Sequence, residues 1–75
     1  MIPEHHFKRI EEISQFIKNW RINEGLSQAE FASMAELHPN SIHNLEIGKN
    51  VTLSTLLNCI DAMDLKLSQF FEGIQ

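Results

Sequence analysis

Between Leu26 and Asn50 the chain reads LSQAEFASMAELHPNSIHNLEIGKN, and its helix starts and stops stand close together. Ser27-x-x-Glu30 is a capping box, in which the serine oxygen accepts from an early backbone N–H while Glu30 reaches back to the cap. Pro39 has no N–H and its φ is held near about −65°, which suits the first turn of a second helix. Gly48 closes that helix, and Gly25 stands before the box as a residue suited to a left-handed cap. A chain punctuated in this way must place two very short helices back to back. The first has Phe31 and Met34 inward, with Ala29 and Ala32 thin enough for another helix to approach. The second has Ile42 and Leu45 as its apolar positions and shows Pro39, Asn40, His43 and Asn44 on the opposite face.

The flanking segments read as packing helices. Phe7, Ile10, Ile13, Ile17 and Trp20 recur at spacings of three and four, one face of a helix carried to about Asn23. Thr52 can cap a fourth helix with Leu53, Leu56, Leu57, Ile60 and Met63 on one face. Ser68 can start a short fifth helix bearing Phe70 and Phe71. No segment alternates apolar and polar residues as a half-buried strand would. The expected fold is all-α, a compact bundle of four to five helices. Residues 1–75 form one domain and the paired short helices lie over about 27–47.

Composition narrows the function. A chain of 75 residues supports one small core, and at that size a partner or a second copy adds stability. Hydrophobic residues make up 43% and charged residues 21%, which is ordinary for a globular domain. The net charge of −4 by itself argues against a nucleic-acid ligand. Cys59 is the single cysteine, so no intramolecular disulfide forms. The start MIPEHHFKRI carries charges where a signal peptide needs an apolar run, and no apolar stretch approaches the length of a membrane span. The expected setting is a reducing cytoplasm, and the Asn50-Val51-Thr52 glycosylation pattern carries no weight there. His5, His6, His38 and His43 are scattered, with no cysteine or carboxylate at metal-ligand spacing and no nucleophile beside an evident base. No metal, cofactor or enzymatic activity is expected. A small acidic helical chain could be an acyl carrier, but no Asp-Ser-Leu attachment site occurs.

Two short helices joined by a tight turn and flanked by packing helices describe a helix-turn-helix unit. From Ile17 onward the segments WRINEGLSQAEFA, NSIHNLEIGK and TLSTLLNCIDAMDLKLSQFF resemble the phage repressor and Cro-like (XRE-type) regulators, which share the lambda repressor-like DNA-binding domain. The resemblance covers about three quarters of the chain and is carried by the whole set of matches rather than any one. It implies a small dimeric transcriptional regulator that binds double-stranded DNA in a sequence-specific manner. The recognition helix, about 39–46, would lie in the major groove.

The same resemblance assigns residues. Asn40, His43 and Asn44 stand where base-reading side chains usually sit, and an asparagine offers the donor and acceptor that adenine N6 and N7 require. Gln28 at the first turn of its helix, and Lys49 just past the recognition helix, fall where phosphate contacts are made; Lys18 can add another. Arg21 is expected to pair with Glu46 and clamp the first helix to the third, a planar guanidinium suiting a bidentate carboxylate. Phe70 and Phe71 are candidates for a homodimer contact, since an aromatic pair so near the end exceeds what a small core needs.

Three positions depart from the family pattern. Glu36 stands at a turn position usually held by glycine, where a positive φ costs a side chain on the order of 1–2 kcal/mol. Pro39 replaces a polar or basic residue, and Val51 replaces a frequent proline. With six basic residues in the chain, phosphate neutralisation by one protomer is weak, which favours a dimer. The resemblance leaves other roles open. Antitoxins of this fold also sequester a toxin, and restriction–modification controller proteins are similarly short dimers. No sensor domain is evident.

Overall fold

The computed structural model describes residues 4–49 and 51–74. Asn50, the acceptor of the glycosylation pattern, lies outside the described residues. Five helices follow one another: α1 (Glu4–Asn23), α2 (Gln28–Met34), α3 (Pro39–Glu46), α4 (Leu53–Ala62) and α5 (Leu67–Gly73). No strand occurs among the described residues. The fold is all-α, as the helical periodicities predict.

Local chemistry accounts for the boundaries. At the start of α2 the Ser27 N–H donates to Glu30 Oε1 at 2.8 Å and the Glu30 N–H donates to Ser27 Oγ at 3.0 Å, completing the capping box. Thr52 Oγ1 accepts the Thr55 N–H at 3.1 Å and opens α4. The helix ends share one device. Gly25, Glu36, Gly48 and Asp64 have φ of 73°, 57°, 81° and 57°, following α1, α2, α3 and α4 in turn. In each case the next residue's N–H reaches back five positions: Leu26 to Arg21 O, Leu37 to Ala32 O, Lys49 to Asn44 O and Leu65 to Ile60 O. These bonds satisfy helix carbonyls that would otherwise be orphaned. Two of the four left-handed positions carry side chains, and Glu36 is the less suited of the two, since aspartate tolerates this region better.

The core gathers Ile17, Phe31, Ala32, Ile42, Leu45, Cys59, Ile60, Met63 and Phe70, one or more from every helix. Ile13, Phe16, Trp20, Leu26 and Leu56 pack against its edge. Burial pushes the Cys59 thiol up to about 12, with a smaller contribution from the charge of Glu46. It behaves as a small apolar residue.

Several inward assignments are corrected. Met34 is half exposed, and Ala35 is buried in its place, because the buried face of α2 runs through Phe31, Ala32 and Ala35. Ala29 is exposed while Ala32 is fully buried. On α4 the inner stripe is Leu56, Cys59, Ile60 and Met63; Leu53 and Leu57 stand on the solvent shoulder and Phe7 is exposed on α1. The fifth helix begins at Leu67, one residue ahead of the expected Ser68, with the Lys66 N–H donating to Gln69 Oε1 at 2.8 Å.

Phe70 requires the largest correction. It is 0% exposed and meets Phe16 edge-on with ring centroids 5.2 Å apart, so it plugs the core and is not available to a second chain. Phe71 packs edge-on against the outer side of the Phe70 ring, with centroids 5.2 Å apart, and is itself half exposed, as is Leu67 one turn before it.

Candidate nucleic-acid interface

α2 and α3 are held by a network built on Glu46. Arg21 Nε donates to Glu46 Oε2 at 2.6 Å and Arg21 Nη2 donates to Oε1 at 3.0 Å, the fork geometry that a guanidinium and a carboxylate share. The two side chains are 11% and 2% exposed. Arg21 Nη1 also donates to the Leu26 carbonyl at 2.7 Å, and Leu26 N–H returns a bond to Arg21 O, which fixes the loop between α1 and α2. The hydrogen bond to Glu46 raises the affinity of the guanidinium for its proton, burial opposing it. Arg21 is a structural cation spent on the fold.

The network extends to Gln28. Its Nε2 donates to Glu46 Oε1 at 3.0 Å, so the side-chain amide is turned inward onto α3. In this conformation one amide N–H of Gln28 is therefore engaged by Glu46. What the position offers to an anion is backbone: neither the Gln28 nor the Ala29 N–H finds an acceptor among the described residues.

α3 is amphipathic over two turns. Ile42 and Leu45 are buried at 0% and 3% exposure, which turns Asn40, His43 and Asn44 to the other side at the i, i+3, i+4 spacing of one helix face. Asn40 and His43 are exposed and Asn44 is partly so. Ile47 follows on the same face, half exposed, a residue the sequence reading passed over because an isoleucine beside Leu45 reads as core. Lys49 and Lys18 are exposed, and Arg21–Glu46 is the one ion pair among the described residues.

Sequence reasoning also missed His38. It occupies the N-cap of α3 with φ −73° and ψ 144°, and its Nδ1 accepts the Asn40 N–H at 3.1 Å. Histidine is not among the preferred N-cap residues, so no local signal singled it out. Among the described residues no group of histidine, cysteine and carboxylate side chains is arranged to hold a metal ion. No helix of the described residues is long and apolar enough to cross a membrane.

A short two-turn helix with its apolar side buried and asparagines outward, held at a fixed angle to its neighbour, has dimensions that a major groove about 12 Å wide accommodates. Known proteins share this fold. The wild-type restriction–modification controller protein C.Esp1396I superposes with a TM-score of 0.77 at 24% identity, over 87% of this chain and 85% of that chain. Two single-residue variants of the same controller protein superpose with TM-scores of 0.78, also at 24% identity and over 87% of this chain, covering 84% of one and 88% of the other. No curated protein matches the chain at a significant level. A family model described as helix-turn-helix matches residues 17–70, most of the chain and all of α2 and α3. The chain belongs to that helix-turn-helix family, of the XRE type, and is a DNA-binding transcriptional regulator.

Proposed function

We propose that two copies of the chain bind an operator of two half-sites about one helical turn apart, each placing α3 in a major groove. The observation that carries this reading is the division of α3 between a buried Ile42/Leu45 side and an outward Asn40/His43/Asn44 side. Asn40 and Asn44 read adenine through paired donor and acceptor, His43 reads a neighbouring base, and Ile47 offers the apolar surface suited to a thymine methyl. Phosphates are held by the free N–H groups of Gln28 and Ala29, by Lys49 and, on the flank, by Lys18.

Dimerisation makes up for the shortage of cations. The HTH segment from Ser27 to Gly48 contains Glu30, Glu36 and Glu46 and no lysine or arginine, so a single protomer attracts DNA weakly. Leu67 and Phe71, exposed one turn apart on α5, form the contact between copies, with Phe70 anchoring the helix from behind. The likeness to a restriction–modification controller favours that role over the antitoxin role, in which a toxin would be a second partner. The protein acts in the cytoplasm, without catalysis.

Selection of duplexes from a random pool by the purified protein, followed by footprinting and sedimentation, tests the reading. It predicts enrichment of a two-fold symmetric sequence, protected on two half-sites about one turn apart by a dimer. Enrichment of no sequence would contradict it, as would binding by a monomer to one half-site.

A further inference from the structure

The two helices of the unit start differently. At α2, Ser27 takes the Glu30 N–H and leaves those of Gln28 and Ala29 without an acceptor. At α3, His38 consumes the first turn. Pro39 has no N–H, the Asn40 N–H donates to His38 Nδ1 at 3.1 Å, and the Ser41 N–H donates to the His38 carbonyl at 2.8 Å. The usual anion-binding donors of a helix start are therefore already used at the recognition helix.

The same bond decides which tautomer His38 holds. A ring nitrogen that accepts a hydrogen bond carries no proton, so the neutral imidazole keeps its proton on Nε2. That N–H has no partner among the described residues, and the side chain is exposed at the end of α3 that precedes Asn40.

We infer that His38 is a positioning residue for DNA reading: through Nδ1 it sets the start of α3 and the backbone of Asn40, and through Nε2–H it supplies the phosphate donor that the occupied backbone of this helix end cannot. The inference rests on α3 entering the groove. It assigns His38 a contact to the sugar–phosphate backbone, which carries no base preference.

Three substitutions separate the two roles. Serine and aspartate keep a short oxygen for the Asn40 N–H but place no outward donor; alanine provides neither. The probes are the duplex recovered by selection and its single-base variants. His38→Ser is expected to melt with the wild-type protein yet bind every duplex roughly tenfold more weakly, as loss of a hydrogen bond to a charged group implies. His38→Asp is expected to be at least as stable as wild type and to bind more weakly than the serine variant. His38→Ala is expected to lose both stability and affinity. Wild-type affinity in His38→Ser would reduce the ring to a cap and overturn the inference, and so would a loss confined to one base pair. Asn44→Ala, measured on the same panel, reports on the reading head separately. A single-position loss there, with no effect of His38→Ser, removes the His38 contact while leaving α3 in the groove.

Discussion

Arg21 and Glu46 face one another across α1 and α3 through two N–H···O bonds of 2.6 and 3.0 Å, with the carboxylate side chain 2% exposed. Arg21 also holds the Leu26 carbonyl, and Gln28 shares the same carboxylate oxygen, so one acid fixes α1, α2 and α3 at a single point. A regulator whose recognition helix has only two turns needs such a point, since the helix cannot hold its own orientation.

Removing either partner strands the other charge in a site with little water. Arg21→Ala is expected to lower stability by about 3–5 kcal/mol, the range for breaking a buried pair from one side. Urea unfolding measures this directly. Wild-type stability with weakened DNA binding would instead make Arg21 a DNA ligand.

Phe70 and Phe71 are adjacent in sequence and opposite in role. Phe70→Ala is expected to cost about 3–5 kcal/mol by opening a cavity against Phe16. Phe71→Ala and Leu67→Ala are expected to leave the monomer folded and weaken self-association, read by sedimentation equilibrium. Unchanged association in both variants would move the dimer contact elsewhere.

That contrast shows where sequence reading stops. Caps and helix ends are encoded within a few residues, which is why Ser27, Glu30, Pro39, Gly25, Gly48 and Thr52 could be assigned from local chemistry. The Arg21–Glu46 pair joins residues 25 positions apart and was legible only through the resemblance. The inward turn of Phe70, the outward turn of Met34 and the bond from Gln28 to Glu46 depend on where neighbouring helices stand, and periodicity over a seven-residue helix cannot resolve that. His38 was hidden because a histidine cap resembles no common capping signal. The outward side of α3 was visible as a polar face, while base contacts are properties of a complex and not of the chain alone.

Glu36 holds φ 57°, a conformation that glycine adopts without the Cβ clash. Glu36→Gly relieves on the order of 1–2 kcal/mol of strain and gives back roughly half through the entropy of the unfolded chain. A rise in melting temperature of about 2–6 °C is expected from differential scanning calorimetry. A lower melting temperature would show that the glutamate side chain contributes more than its backbone costs.

The capping box makes α2 sensitive to acid. The Ser27 backbone N–H, and then its hydroxyl, hold the Glu30 carboxyl below its ordinary range. A depressed folded-state value means that its contribution is present above the unfolded value, about 4.3, and disappears as pH falls through the folded one. Glu30→Gln keeps an acceptor for the Ser27 N–H without titrating. Melting curves between about pH 6 and pH 3 should therefore fall less steeply for the variant than for the wild type. Parallel slopes would remove Glu30 from the acid response.

We propose that the outward face of α3 reads bases while phosphates are held elsewhere, and the direct test is binding to a panel of single-base operator variants at two salt concentrations. Asn40→Ala and Asn44→Ala should each relax preference at one operator position, by about 1–3 kcal/mol, and leave the other positions intact. Lys49→Ala should weaken all sequences alike and reduce the salt slope by roughly one unit. Uniform loss in both asparagine variants, or no loss in either, would contradict the claim and show that the polar face of α3 is not the reading head.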